Sequence, residues 1–244
     1  MDRPIRAEVG SSLAVMQPYV FPYLGYFQLI HGADRFVLYD DVAYIKGGRI
    51  NRNAILSGTK KQRFTIPVSG ASSNKEIRDV LVFQELRWKR KILATFEQAY
   101  SAAPFLKVVF PLFEDVLKDT EDLSIARLAA RSIQSVVHFL GIESEIGESS
   151  CVYENKELGP IERLVDICRQ EGAVTLINPA GGKDLYSKDI FRQQGIDLRF
   201  LHMRNITYRQ FWPHTFVPRL SIIDVLMFNG REGTRTLLEE YDLR

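Results

Sequence analysis

The chain has 244 residues, 45% hydrophobic and 25% charged, with a formal net charge of +2. A charge so near zero excludes a global field for holding nucleic acid or an anionic membrane, though not a local basic patch. No uncharged apolar run reaches the ~18–20 residues that span a bilayer, and MDRPIRAEVGSS lacks the apolar stretch of a secretory signal. The expectation is a soluble cytoplasmic protein without membrane insertion. Length alone fits one large domain or two small ones. A single domain of this size buries roughly 70–75% of its unfolded surface, and residues 1–244 are read as one α/β domain. Cys151 and Cys168 are too far apart for a CxxC pattern and read as reduced thiols.

In chain order, LAVMQ (13–17) and RFVLY (35–39) are short apolar runs of the kind that form buried strands, with YLGYFQLIHGA at helical spacing between them. Strand, helix and strand predict a parallel pair. INRNAIL and QRFTIPV, joined by SGTKK, predict a β-hairpin near residues 50–68. A helical insert follows over about 85–141. Leu86, Leu93, Phe96 and Tyr100 share one face of its first helix, and DLSIARLAARSIQSVVHFLG carries a cleaner apolar stripe stopped by Gly141. Residues 161–171 predict another helix, VTLIN (174–178) a strand, then a short helix and the strand IDLRFL. SIIDVLMF and TLLEEY predict closing helices. The fold class is α/β, a mostly parallel sheet with flanking helices.

In such sheets ligands collect beyond the carboxyl ends of the strands, and three clusters fall there. The first is QPYVFPYLGYF, where Pro18 and Pro22 stiffen a turn bearing Gln17, Tyr19, Tyr23 and Tyr26. Rigid tyrosines bind planar or sugar-like groups at small entropic cost; a packed turn with its hydroxyls toward water has the same sequence. The second is YDDVAYIKGGRINRN. Asp40 or Asp41 can take a proton from an amine or hold a metal or a ribose hydroxyl, while Lys46, Arg49 and Arg52, with Asn53 among them, form an anion-binding set suited to phosphate. A solvated loop of ion pairs is the plain alternative. The third is Asn178 followed by Gly181, Gly182 and Lys183, where glycines free backbone amides to face an anion. A simple tight turn reads alike, and the spacing is not that of a Walker A loop. The three segments are expected to converge on one cavity with an aromatic floor and a cationic rim.

Histidines are few: His31, His138, His202 and His214. None stands in a zinc-binding pair, so no metal is expected. His31, at the end of the tyrosine-rich helix, is a third candidate base. No GxSxG or activated cysteine offers a nucleophile.

QPYVFPYLGYFQLIHGADRFVLYDDVAYIKGGRINRN resembles the opening signature of the WbqC-like protein family. INPAGGKDLYSKDIFRQQGIDLRFL and FVPRLSIIDVLMFNG resemble its later signatures, so that the likeness runs from about Leu13 to Gly230. The resemblance implies a role in bacterial O-antigen or other surface-polysaccharide biosynthesis. It further implies a transferase joining an amino acid, typically glycine, or another acyl group to the amine of a nucleotide-linked amino sugar. Partners would then be that sugar and a small acyl donor, with an adenylate made from ATP, a thioester and an aminoacyl-tRNA all open as the donor. Other nucleic acid is not expected. An ATP-dependent amide ligase or a non-catalytic binding protein of the same pathway fits the same residues. In outline the first strand–helix–strand unit is also similar to HxGH nucleotidyltransferases, with Tyr26 where their second histidine stands.

Overall fold

The computed structural model describes residues 11–118, 120, 123–211 and 215–244, so His214 and the N-terminal decapeptide lie outside the description. The chain begins with β1 (Ser12–Met16), α1 (Leu24–Gly32) and β2 (Arg35–Leu38). The hairpin β3 (Arg52–Ser57) and β4 (Lys60–Thr65) follows, then a second small ribbon of β5 (Val68–Ser69) and β6 (Leu81–Val82). Next come α2 (Leu86–Ala99), α3 (Leu106–Lys118) and α4 (Ile125–Leu140), then β7 (Glu145–Gly147) and α5 (Pro160–Gln170). The chain ends with β8 (Thr175–Pro179), α6 (Lys188–Gln193), β9 (Asp197–Met203), α7 (Ile222–Leu238) and β10 (Tyr241–Leu243).

Six strands form the main sheet in the order β10-β9-β8-β1-β2-β7, all parallel except β10. Counted along the chain, the order grows outward in both directions from β1, which is the doubly wound arrangement with its switch point between β1 and β8. The anticipated α/β class and hairpin are therefore present. Four strands, β5, β6, β7 and β10, were not anticipated, and α3 lies inside the expected helical insert without having been resolved as a separate helix. β7 (EIG) offers only one large apolar residue, and β10 begins at Tyr241, the last residue of TLLEEY, whose first three residues end α7 as helix. α3 runs through Pro111, a residue that usually ends helices.

Strand alternation divides the core. Ala14, Phe36, Leu38, Ile177 and Leu201 face α1, α4 and α7, whereas Leu13, Val15, Val37, Leu176, Leu198 and Phe200 face α5 and α6. The first face is the thicker, and its buried cluster continues without a break into the insert through Phe96, Phe113, Ile133 and Val136 and into the hairpin through Ile55 and Phe64. α4 is held by local chemistry as well. The Ser124 side chain accepts from the Arg127 amide at 3.3 Å, and Gly141 turns left-handed (φ 64°) to stop the helix. α7 kinks at Gly230 (φ 60°), where a Cβ would stand 2.6 Å from the Phe105 ring.

No helix among the described residues is long and apolar enough to cross a membrane.

Candidate functional site

The tyrosine–proline turn is fastened from every side. The Val20 amide donates to Ile50 O (3.0 Å) and the Phe21 amide to Ser132 Oγ (3.0 Å). The Phe21 carbonyl accepts from Asn53 Nδ2 and Ser221 Oγ, both at 2.7 Å, and Ile222 N donates to Pro22 O at 2.8 Å. Those bonds hold Phe21 at φ 45°, a conformation side chains rarely adopt, and Arg219, two residues before Ser221, stands at φ 59°. Each costs on the order of 1–3 kcal/mol, sustained only where the surroundings over-determine the backbone. The turn thereby joins β1 to the hairpin and to the start of α7, and a cleft opens along this seam.

The cleft has two lobes of about 380 and 570 Å³ that share Lys61 and Arg219. The smaller is lined by Gly47–Arg49, Arg52, Asn53 and Arg63. Its cations follow from the hairpin register: Ala54 pairs with Arg63 and Arg52 with Thr65, so Arg52, Lys61 and Arg63 project from the same face. The larger lobe lies between Tyr23 of the turn and the segment after β9, with Met203, Tyr208 and Phe216 in its wall. Among the described residues, none of Arg49, Arg52, Lys61, Arg63 and Arg219 has a carboxylate within 4 Å. Arg52 Nε is buried with no hydrogen-bond partner. Arg204, also in the larger lobe, is instead paired with Asp242 at 2.8 Å.

Beneath the larger lobe lies a fully buried carboxylate. Asp224, in the first turn of α7, accepts from Tyr100 Oη (2.8 Å), Tyr208 Oη (2.6 Å) and Gln210 Nε2 (2.8 Å). Burial raises its carboxyl above the usual range, and the three donors work the other way.

The structure sorts the sequence candidates. Tyr23, Arg49, Arg52 and Asn53 line the cleft. Tyr19 stands close by: burial raises the phenols of Tyr19 and Tyr23, while the Arg49 guanidinium lowers both. Tyr26 is a core residue, fully buried, with its hydroxyl donated to Gln17 O at 3.0 Å, and Gln17 contributes that carbonyl. Lys46 is exposed on the approach to Gly47. Asn53 is engaged on both sides of its amide, with Phe21 O and Ala54 N.

Asp40 and Asp41 are drawn away from the cleft. Arg163 Nη2 meets both oxygens of Asp41, at 2.9 and 2.8 Å, and Ser150 Oγ donates to Asp41 Oδ1. Asp40 Oδ1 accepts from Ser149 Oγ (2.7 Å) and Ser150 N (3.1 Å). With these partners the pair fastens the end of β2 to α5 and to the segment before it. His31 ends α1, which runs antiparallel to β1 and so carries it about two turns, roughly 10 Å, from the carboxyl edge. Its ring meets Tyr241 edge-on.

The expected convergence of three segments is realised for two. Asn178 shares the β8 face of Leu176, turned toward α5 and α6, and Gly182 packs against its side chain. Lys183 Nζ stands 5.9 Å from the centre of the Phe200 ring on that same face. Asn178, Gly181, Gly182 and Lys183 thus lie across the sheet from the cationic lobes. Lys61, Arg63, Arg219 and Tyr208, which do line the cleft, were not anticipated. Alternation across the hairpin was the signal that would have added Lys61 and Arg63 to Arg52.

Fold and cleft together define a doubly wound α/β protein with a cation-lined, aromatic-walled hollow at the carboxyl edge of its sheet. The model of the WbqC-like protein family matches residues 17–236, and the chain belongs to that family. It is similar to the uncharacterized protein Rv1507c of Mycobacterium tuberculosis, 27% identical over 223 residues, which cover 91% of this chain and 95% of the relative. No solved structure matches.

Proposed function

We propose that this protein is a transferase of surface-polysaccharide assembly that joins an amino acid, most simply glycine, or another acyl group to the amine of a nucleotide-linked amino sugar. The observation that carries this reading is the set of cations in one cleft that have no carboxylate partner among the described residues. Five cationic side chains held together repel one another and favour an anion that spans them. A diphosphate offers oxygens to several guanidinium forks at once, which suits arginine better than lysine. The buried, unpartnered Arg52 Nε marks that side chain as the one with most to gain from such a ligand. Tyr23 and Phe216 in the adjoining wall supply flat surface for a sugar or base. Two connected lobes match a reaction that brings two substrates together, whose gain in rate comes largely from holding them in register.

Titration calorimetry with pyrophosphate, UDP and UDP-glucosamine tests the anion site. Arg52→Ala should weaken each by more than about tenfold, as expected for losing a charged hydrogen bond, while the melting temperature stays within about 2 °C. An equal loss of stability would make Arg52 structural, and unchanged affinity would remove the cleft from the account. Incubation with UDP-glucosamine, glycine and ATP, read by mass spectrometry, then separates the donor chemistries: amide formed with release of AMP identifies a ligase that makes its own adenylate.

A further inference from the structure

The charged side chains that line the cleft are all arginine and lysine, so among the described residues an amine entering it meets no lining carboxylate to accept its hydrogens. Tyr208 answers that need by the way it is held. Its neighbours at Asp224 are donors for reasons of their own. Tyr100 Oη already accepts from Leu56 N at 3.1 Å, so its hydrogen is left to go to Asp224. Gln210 Oε1 accepts from Val217 N at 2.8 Å, which orients the amide and turns Nε2 toward Asp224. The carboxylate is thus built as an acceptor, further supported by its place in the first turn of α7. At 2.6 Å the Tyr208 hydroxyl joins the other two and commits its hydrogen inward; Gln210 also donates toward that oxygen, which leaves one lone pair on a side chain that lines the larger lobe.

We propose that Tyr208, oriented by the buried Asp224, is the hydrogen-bond acceptor that receives the substrate's amine in the larger lobe. The amine is supplied by the reading of the cleft given above, on which this inference rests. Tyr208 touches the ligand, and Asp224 is a positioning residue acting through it. The arrangement selects for an N–H donor at one end of a ligand whose other end is anionic, and the buried negative charge behind the phenol favours an ammonium over a neutral group.

The test uses the full chain and two probes that differ in one group, glucosamine 6-phosphate and 2-deoxyglucose 6-phosphate, with pyrophosphate as a measure of the anion site alone. The wild type should prefer the amine-bearing probe by about tenfold, the range of a hydrogen bond to a charged group. Tyr208→Phe should abolish that preference and leave pyrophosphate affinity unchanged. Asp224→Asn, checked for folding by circular dichroism, should abolish it too. A merely structural role for Asp224 would lower stability without changing the ratio between probes. No preference in the wild type, no binding of either sugar phosphate, or a preference that survives in Tyr208→Phe overturns the proposal. Failure of the anion site shows separately, as pyrophosphate affinity indifferent to Arg52→Ala.

Discussion

Asp41→Ala separates two roles for the paired carboxylates after β2, a base for the substrate or a fastening within the fold. The Asp41 side chain is 1% exposed and its partner Arg163 7%. Arg163 is bound at every face: two contacts to Asp41, Nε to Asn155 Oδ1 at 3.0 Å, and its guanidinium 4.7 Å above the Tyr39 ring. Removing Asp41 leaves a cation in a space that water does not reach. Breaking one side of a buried pair costs about 3–5 kcal/mol. At about 2–4 °C per kcal/mol for a chain of this length, the melting temperature should fall by roughly 6–20 °C. Thermal melts followed by circular dichroism measure the loss, and pyrophosphate titration at a temperature where the variant remains folded should give wild-type affinity. The double variant Asp41→Leu, Arg163→Met should recover most of the stability, because an apolar pair of similar volume avoids the desolvation that the ions suffer. A melting temperature within about 2 °C of wild type, with binding or turnover lost, would refute the reasoning and return Asp41 to the site.

Arg219→Gly should hold or raise the melting temperature, since glycine adopts φ 59° at no cost and about 1 kcal/mol of strain is released, yet it should weaken pyrophosphate; a fall in both would show that Arg219 packs rather than binds. Gly230→Ala should lower stability by several kcal/mol, in the range of strain plus overpacking, because its Cβ meets Phe105 at 2.6 Å in a positive-φ position; urea titration reads this, and a neutral result would mean the kink of α7 yields easily. Burial pushes the Cys168 thiol up to about 12, and its side chain is fully buried, whereas Cys151 is partly exposed. A thiol reagent at pH 8 should therefore label the native protein once, at Cys151, with the second label appearing only on unfolding.

The sheet was legible where burial on both faces demands continuous apolar runs. LAVM, RFVL and TLIN each announce a strand because neither face meets water, whereas DLRFL announces one by alternation, with Leu198 and Phe200 buried and Asp197 and Arg199 exposed. The edges were harder. β7 and β10 have solvent along one side and need few apolar residues, so their sequences carry little periodicity. The α3 helix was obscured by Pro111, whose local cost is met by the burial of Val109, Phe113, Val116 and Leu117 against the rest of the insert.

For the site, local sequence identified what local geometry decides. The Gly47–Arg49 loop and the turn around Tyr23 were readable because glycine, proline and clustered cations lie within a few residues of one another. What sequence proximity could not provide was the identity of partners across the fold. Asp41 and Arg163 are 122 positions apart, and Tyr100 and Asp224 are 124 apart. A carboxylate at a strand end is equally a base or an anchor until its partner is known, and the same uncertainty hid Asp224, which in SIIDVLMF looks like one polar residue on an apolar helix. The two carboxylate sites differ in one physical respect. Asp41 is neutralised by an arginine and serves cohesion. Asp224 is surrounded by neutral donors, has no cation paired with it among the described residues, and counts among those donors the Tyr208 phenol that lines the larger lobe. A buried charge left in that state is costly to maintain, and the use that accounts for it is the one the larger lobe provides: a fixed acceptor facing a ligand in a hollow whose other charged groups are donors.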